Sequence, residues 1–274
     1  MTDTLKSLVC ASADCNRPIP SLRAMFCSPY CRKREWDRVN RAPPLRAPPW
    51  STKSTANQLS WETASWLRVC VSCGESLRGL RHGSVSCSPT CRQRLRRRGP
   101  LSRSELLNRV FGLPPKDFWR TPPWFVDELV SRLGPFDLDA AATPQDALAP
   151  AWIDPTEDAL TVDWSTRGAN VIVNPPYSRL GGDGHGLLAW AEAAVRARNG
   201  GATVAMIVPP APSTRYHQLL KAEGELLLHP PHRLAFLDPD TGKPVRGNRG
   251  DTMAAVLRPG VRGPARDLYI EGRR

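Results

Sequence analysis

Eight cysteines, all before residue 92, fall into two sets of four: Cys10-x4-Cys15-x11-Cys27-x3-Cys31 and Cys70-x2-Cys73-x13-Cys87-x3-Cys91. An offset of 60 residues superposes three of the four and aligns "CSPYCRKR" at 27–34 with "CSPTCRQR" at 87–94. One structural unit is therefore used twice. Two thiolates on a short turn can reach a single ion, and a second pair a dozen residues on closes a tetrahedron. That is the spacing of four-cysteine zinc, with disulfides or idle thiols as the competing readings. The N-terminal "MTDTLKSLVC" lacks the apolar region and cleavage site of a secretory signal. No run approaches the roughly 20 apolar residues of a membrane span. The expectation is a soluble, cytoplasmic protein whose thiols stay reduced. Each unit holds too few apolar residues to fold alone, so metal binding would supply much of its folding free energy. Four thiolates leave no open coordination position, and two structural Zn2+ ions are expected.

Charge separates the same N-terminal part from the rest. Residues 1–112 carry 20 Lys+Arg against 7 Asp+Glu, a net of +13, whereas residues 113–274 carry 18 against 19, a net of −1. Each cysteine unit runs into a basic segment, "CRKREWDRVNR" and "CRQRLRRR", read as the start of a short helix whose arginines meet phosphates. Such contacts give affinity without sequence preference. Between the units, "APPLRAPPWSTKSTANQ" reads as a linker.

From Asp117 onward helix and strand signals alternate. "TPPWFVDELVSRLG" is a helix by apolar spacing, with Pro at its start and Gly134 at its end. "PFDLDAAAT" is a short strand entering a loop of small residues. "ANVIV" and "ATVAMIVPP" are buried strands, and "GLLAWAEAAVRARNGG" is a helix stopped by Gly200-Gly201. "STRYHQLLKAEG" reads as a helix capped by Ser213, and "ELLLHP", "LAFLDP" and "TMAAVLRP" as later strands. The pattern predicts an α/β domain with a parallel sheet, whose ligands gather at the carboxyl ends of the strands.

The most informative of those ends is "VIVNPPY", where Val173 leads into Asn174-Pro175-Pro176-Tyr177. A residue before proline is held extended, so Asn174 and Pro175 carry the chain stiffly out of the strand. The Asn174 side-chain oxygen and the Pro175 carbonyl then form two fixed acceptors for the N–H groups of a planar aromatic amine. Accepting both restores the nitrogen lone pair, and Tyr177 is placed to stack on the ring, a contact worth about 1–3 kcal/mol. The chemistry then needs an electrophile held in line. A plain Pro-Pro turn is the alternative.

"NPPY" after a strand resembles the catalytic motif of amino-methyltransferases, and the wider pattern is similar to the phage-type DNA N-6-adenine methyltransferase (Dam) family. The matching segments are "DFWRTPPWFVDEL" at 117–129, "FDLDAAAT" at 136–143, "EDALTVDW" at 157–164, "VIVNPPYS" at 171–178 and "VPPAPSTRYHQ" at 208–218. The resemblance implies a Rossmann-like domain using S-adenosylmethionine. It implies that Asn174, Pro175, Pro176 and Tyr177 form the catalytic pocket for the adenine amine. Asp137, Asp139 and Ala140 would take the cofactor position, Thr121 and Pro122 would lie near its methionine end, and Asp158 would accept from its adenine, with Asp163 as a substitute. No F-x-G-x-G loop is present, and the cysteine units belong to no part of the family's pattern. RNA and protein-glutamine methyltransferases share the tetrapeptide.

The sequence thus reads as zinc module 1–41, linker 42–66, second zinc module 67–100, methyltransferase domain 113–260 and basic tail 261–274. The expected activity is adenine-N6 methylation of double-stranded DNA on a base taken out of the duplex, in a bacterial host's cytoplasm. RNA or protein-glutamine methylation, or a zinc DNA-binding protein without turnover, are the alternatives. The charge division further predicts that removing residues 1–100 weakens DNA binding while leaving cofactor binding intact. His185, in "GGDGHG", reads as a solvated loop residue.

Overall fold

The chain divides into two units, Met1–Thr52 and Lys53–Arg274. The computed structural model describes residues 56–178, 186–245 and 250–271, all in the second unit. The first cysteine set, Cys10, Cys15, Cys27 and Cys31, and the His185 loop lie outside the described residues.

Three helices open the described part of the chain. α1 (Ala56–Leu67) occupies the second half of the stretch read as linker, where Ala64 packs with Val69, Val71 and Leu106. α2 (Pro89–Arg98) is the basic helix expected after the second cysteine unit. Ser88 caps it by accepting from the Cys91 N–H at 3.1 Å, and Pro89 sits where a missing N–H costs nothing. α3 (Arg103–Phe111) starts in a reciprocal capping box between Ser102 and Glu105.

The elements that follow are α4 (Pro123–Leu133), β1 (Leu138–Asp139), β2 (Ala151–Trp152), β3 (Asn170–Val173), α5 (Leu187–Asn199), β4 (Thr203–Val208), α6 (Arg215–Glu223), β5 (Leu226–His229), β6 (Met253–Leu257) and β7 (Arg266–Tyr269). The strands form one sheet in the order β2-β1-β3-β4-β6-β5-β7. Alternation along the strands decides the layers. Val171 and Val173, with Val204, Met206 and Val208, pack with Trp190, Ala194 and Leu220 of α5 and α6. Ile172, Ala205 and Ile207 pack on the other side with Phe125 and Leu129 of α4. Helices on both faces explain why these strands are apolar throughout, and each large side chain so buried contributes about 1.5–3 kcal/mol. The fold is mixed α/β, consistent with a Rossmann-like domain.

Four expectations change. The sheet is mixed rather than parallel: β2 to β4 are parallel and so are β5 and β7, but β6 runs antiparallel to both its neighbours. No helix among the described residues of the β5–β6 connection carries the chain back along the sheet, so β6 enters from the end where β5 leaves. "LAFLDP" is not a strand: Leu237 makes only isolated bridges to Arg120 and Pro244, and a proline partner cannot donate to a ladder. Thr214, not Ser213, takes the cap position of α6, and its hydroxyl is spent on Ala211 O at 2.7 Å. Finally, the stretch read as a basic tail supplies the edge strand β7.

Candidate active site

The carboxyl ends of β1, β2 and β3 open on one cavity of ≈ 470 Å³, within the range that holds small ligands and cofactors. Of the residues singled out in the sequence, Thr121, Asp139, Ala140, Asp158, Asn174 and Pro176 line it; Pro122, Asp137, Pro175 and Tyr177 do not.

Asn174 is the best-defined group. Its Nδ2 donates to Oγ1 of buried Thr121 at 3.3 Å, which fixes the amide. Its Oδ1 is buried with no hydrogen-bond partner. Leaving such an acceptor unpaired costs about 1–3 kcal/mol, which an incoming donor relieves. Tyr177 is half-buried and its hydroxyl donates to Ile207 O at 3.3 Å. Burial pushes the phenol well above its ordinary value, so it stays neutral. The next residue, Ser178, is held by Asp117, which accepts from the Ser178 N–H at 3.2 Å and from the Ser178 hydroxyl. Burial also raises the Asp117 carboxyl.

The two aspartates of "DLD" have different jobs. Asp139, 4% exposed, accepts from the Ala141 N–H at 3.2 Å and the Leu148 N–H at 3.1 Å. Burial outweighs those bonds and pushes its carboxyl up to about 6. Asp137 is exposed and accepts from the Ala169 and Asn170 N–H groups at 3.1 and 2.9 Å, bracing the start of β3. Two residues back along a strand is about 7 Å from its carboxyl end, so Asp137 does not reach the cavity. Asp158 sits exposed at the rim, accepting from the Leu160 N–H at 3.0 Å. Asp163 caps a 3₁₀ turn through Ser165 and lies off the cavity.

Sequence reasoning gave no role to Asp117, Asp146, Asp154 or Trp190, which all line the cavity. Asp154 follows β2, too short a strand to be read from periodicity. Trp190 falls on the apolar stripe of α5, where helical spacing marks a core residue. It is 7% exposed, yet its Nε1 is buried without a partner.

A second constellation lies in the cysteine unit. The sulfurs of Cys70, Cys73, Cys87 and Cys91 all lie within 4.8 Å of one another, and none is in a disulfide. Cys73–Cys87 and Cys87–Cys91 separations are 3.5 and 3.6 Å. Sulfurs about 2.3 Å from a tetrahedral ion stand roughly 3.8 Å apart, so the donor set and spacing fit zinc. Ser88 leads in drawing the Cys91 thiol down to about 7, whereas burial pushes the Cys73 and Cys87 thiols up.

Residues 112–270 match the family model described as DNA N-6-adenine-methyltransferase (Dam). The DNA N-6-adenine-methyltransferase of Escherichia phage T1 is 25% identical over 158 residues, 52% of this chain and 63% of that protein. That of Haemophilus phage HP1 (strain HP1c1) is 26% identical over 146 residues, 53% of this chain and 80% of that protein. The chain thus spans less than two thirds of the phage T1 protein's length. It belongs to the DNA N-6-adenine-methyltransferase (Dam) family.

Proposed function

We propose that this protein transfers the methyl group of S-adenosylmethionine to N6 of adenine in double-stranded DNA. The observation that carries this reading is the oriented Asn174 amide, its Oδ1 buried and unpaired at the edge of the cavity. When bound, the cofactor supplies an electrophilic methyl on a sulfonium. Asp139, the Ala140–Thr143 wall, Asp154 and Asp158 would hold it, with Thr121 toward its methionine end. The orphaned Asn174 acceptor and the unpaired Trp190 Nε1 donor both suit a polar guest in the cavity. Asn174 Oδ1 and the Pro175 carbonyl accept the two amine N–H groups of the target, and Pro176 and Tyr177 frame its ring. Holding both hydrogens directs the nitrogen lone pair at the methyl group. After transfer the surplus proton leaves to water. The base must leave the duplex to reach this depth.

Cys70, Cys73, Cys87 and Cys91 bind one structural Zn2+, and Cys10, Cys15, Cys27 and Cys31 a second. The zinc modules hold the DNA backbone; in the second, the exposed Arg92, Arg94, Arg96, Arg97 and Arg98 of α2 make the contacts. Among the described residues no helix is long and apolar enough to cross a membrane, and the relatives come from phages. The place of action is the host cytoplasm. The test offers labelled cofactor to duplex DNA, RNA and protein in competition. Label in N6-methyladenine of duplex DNA supports the proposal, and label confined to RNA or glutamine overturns the substrate.

A further inference from the structure

We infer that the second cysteine module is a working part of the cofactor site, because α3 grips the module along one side and sends Arg103 into the loop that walls the cavity. Metal binding at the cysteines and cofactor binding in the cavity therefore strengthen one another. This rests on the assignments of cofactor and zinc proposed above.

The module side of the link is backbone and core. Leu101 N–H donates to Val71 O at 2.9 Å, just ahead of α3. Val71, between the ligands Cys70 and Cys73, shares an apolar cluster with Leu106 of α3, and both are fully buried. Arg109 Nη1 reaches Cys73 O at 3.4 Å. Gly74, at φ +81°, comes so close that a Cβ there would stand 3.1 Å from Arg109 Cβ. A side chain at Gly74 would push module and helix apart.

The cavity side is an ionic clamp. Arg103 has no exposure, and its Nη2 donates to Thr143 Oγ1 at 2.6 Å and to Asp146 Oδ2. Arg120 Nε meets the other oxygen of Asp146 at 2.5 Å, and Thr143 Oγ1 donates to Asp146 Oδ2 at 3.0 Å. Thr143, Asp146 and Arg120 all line the cavity, as do Phe111 and Leu113 at the far end of α3. The wall from 140 to 148 is thus held near both ends by Asp139 and between them by Arg103 and Arg120. A guanidinium this buried persists only because it is paired, and removing it leaves a partly buried carboxylate with one partner fewer. Arg103 is a positioning residue: it shapes the wall without itself lining the cavity.

Since the module depends on its metal to fold, loss of the ion loosens the surface on which α3 rests, and the clamp with it. Linkage is reciprocal, so the cofactor must also retain the metal. The experiment uses the full chain with zinc bound and S-adenosylhomocysteine as probe. Calorimetry should give about tenfold weaker binding for Arg103→Ala, within the usual span of site-to-site coupling, with Arg103→Lys recovering part of the loss. In the wild type, saturating S-adenosylhomocysteine should strengthen zinc retention against a competing chelating dye, read at equilibrium, about fivefold or more. Wild-type affinity in a folded Arg103→Ala protein, or zinc retention indifferent to the probe, overturns the inference. Should Arg103→Ala not fold, zinc retention by the wild type decides alone. Failure of the intact zinc protein to bind the probe overturns the cofactor assignment itself, a result distinct from tight binding without coupling.

Discussion

At the scale of single residues, the cavity leaves the Asn174 Oδ1 acceptor unsatisfied while Thr121 fixes the amide that carries it. Asn174 was legible because a strand ending in Asn-Pro-Pro-Tyr has few structural uses. Its partner Thr121 was legible only by position in the family pattern, since the hydroxyl-to-amide bond spans 53 residues of sequence. Asp137 and Asp139 could not be separated by sequence, being the same residue type on the same short strand; depth along β1 separates them. Thr121→Val keeps the shape but removes the bond that orients the amide. Methyl transfer should fall about tenfold, near the 1.4 kcal/mol that a good hydrogen bond contributes, as read from kcat. Asp139 sets a pH dependence. A carboxyl whose folded value lies above its ordinary 3.8, here about 6, binds its proton more tightly when folded. It therefore favours the folded state at low pH, and the ligand-free protein loses that contribution as pH rises through 6. A ligand that needs the carboxylate shows the opposite trend. S-adenosylhomocysteine affinity should be flat above pH 7 and fall by up to about tenfold per pH unit below 6. A level profile from pH 5 to 8 removes Asp139 from the ligand set.

At the scale of elements, long periodic segments were readable and short ones were not. β3, β4 and α5 declared themselves because four to thirteen residues of consistent apolar spacing leave little choice. β1 and β2 have two residues each, and β7 shows no buried residue, so only pairing with neighbours makes them strands. The reversed β6 is a property of its connection, invisible in its own apolar sequence. The basic helix α2 was anticipated from the arginine run, and its outward face is where the charge asymmetry should act. Replacing Arg96, Arg97 and Arg98 with Gln should weaken DNA binding and lower the slope of log affinity against log salt by about 0.9 for each phosphate no longer neutralised. S-adenosylhomocysteine affinity should not change. An unchanged salt slope would place the DNA-binding charge elsewhere.

At the scale of the whole molecule, the sequence suggested separable parts: a basic N-terminal half for DNA and a balanced C-terminal half for chemistry. The structure joins the second module to the catalytic domain through Val71, Leu106 and Arg109, and through Arg103 to the cavity wall. Deleting residues 1–100 would expose the buried side of α3, so cofactor affinity and thermal stability should fall together with DNA binding. Calorimetry and melting of the truncated chain check this; full retention of cofactor affinity would restore the separable picture. The charge boundary near residue 112 and the structural boundary do not coincide, because charge follows the surface while α3 is held by its buried face. The proposed reaction is tested most sharply by methyl transfer from labelled S-adenosylmethionine to adenine-containing duplex DNA, comparing the intact protein with Asn174→Ala. Labelled N6-methyladenine is expected with the wild type, and a rate at least about 100-fold lower with the variant, while S-adenosylhomocysteine still binds. Comparable labelling by both proteins, or none by a wild type that binds the cofactor, would overturn the assignment.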